Sequence, residues 1–192
     1  MNTTILTPPA AVASQANRAI GAMFFCLFGG AWLALWAHEV FVPPLAAYAL
    51  IGCITLVFFY VVLRVYKLHA PALTAEPETQ EKRRQSRNFH IVNTGQWVLL
   101  LIVANVLANI GLASWIIPAA IFIIGAHFIP LARLFDYPPH YLTGAAMMLL
   151  AVAYPLIAPA GASNSVGRLG AGLILWTSAA WAITRTRSQN VA

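Results

Sequence analysis

The residues best suited to chemistry lie in one short stretch, GAHFIPLARLFDYPPHY, residues 125–141. The stretch holds two histidines, an arginine, an aspartate and three prolines within an otherwise apolar part of the chain. Ionisable side chains are rare inside membrane-spanning helices and often mark a functional site. His127 lies deepest, near the predicted centre of a span, and Pro130 disturbs the backbone carbonyl four residues before it. We expect His127 either to belong to an intramembrane site or to be a neutral histidine that makes one hydrogen bond between helices.

The remaining ionisable residues of this stretch, Arg133, Asp136 and His140, are predicted at the cytoplasmic interface. There Arg133 can extend towards water and pair with Asp136, while Pro138-Pro139 turns the chain into the next helix. Alternatively, the three side chains form the interface cluster of a membrane-embedded enzyme that acts on a lipid or isoprenoid. No zinc-protease, paired acidic or serine-nucleophile motif accompanies them. We therefore assign no catalytic residue and no metal site, and lean against an enzyme.

Polar residues in two other predicted helices extend the intramembrane hypothesis. Asn105 and Asn109 lie four residues apart and share one helix face, whereas Gln96 points to a different face. Glu39 is the one acidic residue on the predicted outer side, at a depth where it can meet Asn109. In one interpretation the asparagines hydrogen-bond neighbouring helices and Glu39 is an exposed interface carboxylate. In the other, His127, Asn105, Asn109, Glu39 and Gln96 line a route for a solute or ion.

The composition indicates that most of the chain lies in a membrane. Hydrophobic residues make up 60% of the 192 residues and charged residues only 8%, whereas soluble domains carry about 25% charged residues. Six segments are long and apolar enough to span a bilayer: residues 19–37, 44–66, 91–113, 115–135, 139–160 and 166–184. We predict an all-α polytopic membrane protein with six transmembrane helices in one bundle. The two cysteines, Cys26 and Cys53, are expected to be small buried residues.

The distribution of positive charge predicts the orientation of these helices. Arg168 is the one residue among the 11 lysines and arginines that falls on the predicted outer side, and positively charged loops stay in the cytoplasm. Both termini are therefore predicted to be cytoplasmic, in the cytoplasmic (inner) membrane. We predict a flexible N-terminal tail at residues 1–17, a transmembrane domain at 18–187 and a C-terminal tail at 188–192. A cytoplasmic linker at 67–90 separates the second and third helices.

The linker carries a basic run that is expected to contact anionic lipid headgroups. The run consists of Lys82, Arg83, Arg84 and Arg87. The alternative is that these residues only orient the protein in the membrane. We expect no nucleic-acid partner, because topology explains the net charge of +6 and no aromatic residues alternate with the basic ones. On the sixth helix, Gly167 and Ala171 suit either an internal contact or the seam of a homodimer.

Two Pro-Pro pairs suggest a weak 3+3 inverted repeat. Pro43-Pro44 precedes the second helix and Pro138-Pro139 the fifth, 95 residues later, and a shift of 96 residues places Gly29 over Gly125. Inverted repeats are common in transporters, with the substrate site near the repeat interface. The first functional hypothesis is thus a transporter or channel for a small solute or ion. A membrane-embedded enzyme is the second, an accessory or assembly subunit is the third, and no cofactor is expected.

Overall fold

The structure, a computed structural model, describes residues 8–75 and 79–184. This part of the chain forms six α-helices: α1 (Pro8–Val40), α2 (Leu45–Ala75), α3 (Gln80–Asn109), α4 (Ile116–Leu134), α5 (Pro139–Ile157) and α6 (Val166–Thr184). Short 3-10 turns, Ala113–Trp115 and Gly161–Ser163, precede α4 and α6. All six helices are long and apolar enough to cross a membrane. The predicted all-helical architecture is confirmed, and six helices able to span a membrane indicate a multi-pass membrane protein.

Three of the helices extend beyond the predicted spans. α1 begins at Pro8, so residues 8–17 of the predicted tail are helical, and Ala13 and Ala16 are buried in the bundle. α2 continues to Ala75 and α3 begins at Gln80, so most of the predicted linker is helical as well. Residues 1–7, 76–78 and 185–192 lie outside the described residues, and with them the predicted C-terminal tail.

The two ends of α3 follow directly from the sequence. Thr79 is its N-cap, with a side-chain oxygen that accepts a hydrogen bond from the backbone N–H of Lys82 at 3.3 Å. This bond satisfies one of the N–H groups that a helix start leaves unpaired. After the last turn, Gly111 takes a left-handed conformation with a φ of 78°, which glycine adopts without strain. Leu112 then donates its N–H to the carbonyl of Leu107 at 2.8 Å, as in a Schellman motif.

The helices pack in an order that differs from their order along the chain. α1 packs against α2 and α6, α4 packs against α5 and α3, and α5 contacts α6. Around the bundle the order is therefore α2, α1, α6, α5, α4, α3. The peripheral helices contribute little to the core, since α3 has no buried residue and α2 contributes Val62. Their outward faces are broad and apolar, as expected of helices that contact lipid.

Small residues allow the closest helix crossings. α1 and α6 cross at Gly29 and Gly172, where a Cβ atom added to Gly172 would lie 3.0 Å from the carbonyl oxygen of Gly29. Gly167 and Ala171 are buried on the same helix, and Gly167 packs against the ring of Tyr154. Of the two alternatives for these residues, the internal contact is the one observed. The homodimer stays a prediction, and these two residues do not support it.

The cysteines differ in their surroundings. Cys26 is buried on α1, and its sulfur lies 3.4 Å from the backbone carbonyl oxygen of Thr55. Cys53 is exposed, because it lies on the outward face of a peripheral helix. The prediction of burial is confirmed for Cys26 and wrong for Cys53.

The 3+3 repeat stays a prediction. The repeat would equate α1 with α4, α2 with α5 and α3 with α6. Under this exchange the neighbours of α1, which are α2 and α6, become those of α4, which are α5 and α3. The two glycines that the repeat would equate have different surroundings, because Gly29 faces α6 whereas Gly125 faces α5. The repeat also equates the contact between α5 and α6 with one between α2 and α3, which do not pack together. The helix arrangement thus agrees with the repeat only in part.

Candidate functional site

His127 lies where α4 meets α3. Its imidazole is half-buried, with its ring centroid 6.0 Å from that of the adjacent Phe128. The backbone of Val92 on α3 lies close to the imidazole. His127 therefore faces a neighbouring helix. Pro130 lies one turn further along, and α4 runs without interruption past it.

His140 in the first turn of α5 is enclosed by aromatic rings. The centroid of its ring lies 4.9 Å from that of Tyr137, 5.7 Å from that of Phe128 and 5.6 Å from that of Phe25. Its Nδ1 atom is buried and has no hydrogen-bond partner, the one such side-chain atom in residues 12–73 and 79–184. A buried polar atom without a partner costs about 1–3 kcal/mol. This nitrogen is therefore where a polar ligand that hydrogen-bonds it would gain most.

The two histidines belong to one site, named here the histidine site. Phe128 lies against both rings, with centroid distances of 6.0 Å to His127 and 5.7 Å to His140. Phe25 brings α1 to the site, with its ring centroid 5.2 Å from that of Phe128. Four helices, α1, α3, α4 and α5, thus converge here.

A close crossing of α4 and α5 holds the histidine site in place. Gly125 and Gly144 are both buried, and a Cβ atom added to Gly144 would lie 2.6 Å from the carbonyl oxygen of Gly125. One turn after His140, the hydroxyl of Thr143 lies 2.9 Å from that of Ser178 and ties α5 to α6. The backbones on either side of the site therefore have little freedom to separate.

The three residues of the predicted interface cluster have different surroundings, and the cluster stays a prediction. His140 turns into the bundle, whereas Arg133 and Asp136 are exposed. No ion pair joins Arg133 to Asp136 within residues 79–184. The rings of Phe25, Phe128 and Tyr137 surround the imidazole instead, because the first turn of α5 directs His140 towards α1 and α4.

Asp136 instead ends α4. It has a φ of 45°, in the left-handed region that aspartate tolerates better than most residues. Its N–H bonds the carbonyl of Arg133 at 3.4 Å, and the N–H of Tyr137 bonds that of Ala132 at 2.9 Å. This pair of bonds is a Schellman motif. The backbone conformation thus gives Asp136 a structural role.

At the opposite end of the bundle Glu39 forms an ion pair. Its carboxylate lies 2.7 Å from the guanidinium of Arg168 on α6, with 38% of the Glu39 side chain and 16% of the Arg168 side chain exposed. This pair was not predicted from the sequence. It could have been, because Glu39 and Arg168 are the two residues of opposite charge on the predicted outer side.

The remaining candidates of the predicted route do not gather around one cavity. Asn105 and Asn109 are exposed on α3, and their amides donate to the carbonyls of Leu101 and Asn105 at 2.8 and 2.7 Å. Glu39 does not meet Asn109, because it is paired across α1 and α6. Gln96 is half-buried on the inner side of α3. Of the five predicted residues, His127 alone lies in the histidine site.

The described residues offer no set of ligands for a metal. No group of three or more histidine, cysteine, aspartate or glutamate side chains converges in the part of the chain that the structure covers. Comparison with protein-family models, with curated proteins and with solved structures found no match. No known protein therefore indicates what the histidine site does.

Proposed function

We propose that the protein is a transporter or channel for a small solute or ion in the cytoplasmic membrane, and that the histidine site is its polar intramembrane site. The observation that carries this proposal is the buried, unpartnered Nδ1 of His140 beside a second imidazole. Polar groups of this kind are expensive within a membrane and serve ion, proton or substrate pathways more often than stability. Imidazole is also the side chain that exchanges a proton most readily near neutral pH.

The composition of the site fits a small cargo. His140 Nδ1 is enclosed by the rings of Phe25, Phe128 and Tyr137, which exclude bulk water from it. The guanidinium of Arg18 lies 5.3 Å from the centroid of the Tyr137 ring and provides a positive charge at the edge of this enclosure. We infer that a proton or a small polar solute is exchanged at His140 and passed towards His127.

The enzyme hypothesis has less support, because Arg133 and Asp136 are exposed whereas His140 turns into the bundle. The accessory-subunit hypothesis has one observation in its favour. α3 has no buried residue, so much of its surface is available to another membrane protein. The two functions are distinguished by whether the purified protein moves any ion by itself.

The test is proton flux into vesicles. The purified protein is reconstituted into liposomes that contain a pH-sensitive dye, and a potassium diffusion potential drives protons inwards across about pH 5 to 8. His140→Phe retains an aromatic ring and removes the nitrogens, and His127→Ala removes the second imidazole. His38→Ala is the control, since His38 is exposed at the far end of the bundle and bonds the Tyr48 hydroxyl.

We expect pH-dependent flux for the wild type and for His38→Ala, and flux at the level of protein-free vesicles for His140→Phe. Flux that His140→Phe and His127→Ala both leave unchanged would remove the histidine site from the mechanism. A wild type that conducts protons no better than protein-free vesicles would exclude a proton route through the histidine site.

A further inference from the structure

We propose that the cytoplasmic end of α3 carries a binding site for the headgroup of an anionic phospholipid. The site is an open surface along one side of the helix, lined by residues of α3 alone, and is named here the α3 groove. Its polar lining residues include Lys82, Arg83, Arg87 and His90, and Ile91 and Thr94 line its other end. This inference is independent of the proposed transport function.

The α3 groove faces away from the bundle because the opposite side of α3 is fixed to α4. The Gln85 side-chain amide donates to the carbonyl of Leu134 at 2.6 Å, and the ring centroids of Phe89 and Phe135 lie 5.7 Å apart. One turn further along, Val92 meets His127. Gln85, Phe89 and Val92 follow one another at helical spacing on the inner side. The basic side of the helix is therefore held outwards.

The depth of the α3 groove matches the boundary between headgroups and acyl chains. α3 is continuous from Gln80 to Asn109, and each residue advances it by about 1.5 Å. If the apolar part begins at Ile91, Arg87 lies about 6 Å outside it, within the headgroup layer of about 5–8 Å per leaflet. Ile91 and Thr94 then lie beside the first acyl carbons. One phospholipid can thus place its phosphate near Arg87 and its chains along the apolar end.

The charge of the α3 groove favours an anionic lipid over a zwitterionic one. Lys82, Arg83 and Arg87 line the groove, and no acidic side chain among residues 79–184 lines it. A guanidinium is suited to phosphate because it donates parallel hydrogen bonds to two phosphate oxygens. Arg84 is exposed on the same turn and does not line the groove. This separates the proposal from a general attraction between the basic run and the membrane surface.

The experiment uses Trp97 as a reporter. Trp97 is 48% exposed and lies one turn beyond Thr94 along α3. The full-length protein is reconstituted into phosphatidylcholine vesicles that contain increasing fractions of phosphatidylglycerol with brominated acyl chains, which quench tryptophan on contact. Brominated phosphatidylcholine provides the reference lipid. Subtracting the signal of Trp97→Phe isolates this tryptophan from the other five.

Arg87→Gln and Arg84→Gln form a matched pair, because each removes one exposed arginine from the same helix end. We expect the wild type to prefer phosphatidylglycerol to phosphatidylcholine by at least about fivefold near Trp97, the effect of one base at an anionic surface. Arg87→Gln should reduce the preference about fivefold, Arg87→Lys should retain most of it, and Arg84→Gln should leave it unchanged.

Three results would overturn the proposal. Equal losses from Arg87→Gln and Arg84→Gln would indicate a diffuse charge effect rather than a site. The absence of any preference in the wild type would show that no anionic lipid binds the α3 groove. Displacement of phosphatidylglycerol by soluble glycerol phosphate would identify a soluble phosphate compound as the occupant.

Discussion

The crossing of α4 and α5 gives a stability prediction whose size can be estimated from the structure. In Gly144→Ala, the added Cβ would lie 2.6 Å from the Gly125 carbonyl oxygen, about 0.8 Å short of the 3.4 Å at which ordinary contact begins. The neighbour is helix backbone, which cannot rotate away as a side chain can, so α4 and α5 must separate. Overpacking of this kind costs about 1–3 kcal/mol.

Gly95→Ala on α3 is the matched control. Nothing lies within 4 Å of a Cβ atom at that position, so the preference of alanine for helix should leave stability unchanged or raise it by up to about 1 kcal/mol. The two substitutions make the same chemical change, and we expect their free energies of unfolding to differ by about 1–4 kcal/mol.

The measurement is reversible unfolding of the purified protein in mixed micelles with increasing dodecyl sulfate, followed by circular dichroism. Gly144→Ala should unfold at a lower fraction of dodecyl sulfate than the wild type, and Gly95→Ala should not. Equal stability of the two variants would refute the inference that α4 and α5 meet through their backbones beside the histidine site.

Three further predictions concern contacts elsewhere in the bundle. In a double-mutant cycle, Glu39→Gln and Arg168→Gln should show a coupling of about 0.2–1 kcal/mol that decreases with salt, whereas additive effects would mean that the pair does not form. Asp136→Gly should retain stability and flux, while Asp136→Val should lower the free energy of unfolding by about 1–2 kcal/mol. Denaturation in mixed micelles measures this difference. Loss of flux in Asp136→Gly would show that the carboxylate has a functional role. A cycle of Thr143→Val and Ser178→Ala should give a coupling of about 0.6 kcal/mol, and no coupling would contradict the hydrogen bond between α5 and α6.

The number of helices could be predicted from the sequence because each span is an uninterrupted apolar run of sufficient length. The helical extensions could not be predicted in the same way. Residues 8–17 and 67–90 have no membrane-like composition, and their helices are stabilised by contacts such as the burial of Ala16 and the bond from Gln85 to Leu134. Contacts of this kind depend on the packing of α1 and α3, which hydropathy does not encode.

The candidate site could be predicted in part. The depth of His127 identified it, since a histidine within an apolar run stands out. His140 was predicted at the interface because residue counts give the depth of a residue but not the direction of its side chain. The packing of Phe25 and Phe128 around the imidazole depends on the fold. The structural role of Asp136 could have been recognised, because aspartate tolerates the left-handed conformation that often ends a helix.

The central claim is that six helices cross the membrane and leave the start of α3 in the cytoplasm, since the depth of both proposed sites depends on it. Ser86 on α3 and Ser163 between α5 and α6 are exposed and lie at opposite ends of the bundle. In a background without Cys26 and Cys53, Ser86→Cys and Ser163→Cys would be labelled with a membrane-impermeant maleimide in right-side-out vesicles. We predict that the Ser163→Cys variant is labelled directly and the Ser86→Cys variant only after permeabilisation. Direct labelling of the Ser86→Cys variant would contradict the orientation and with it the depth assigned to the histidine site.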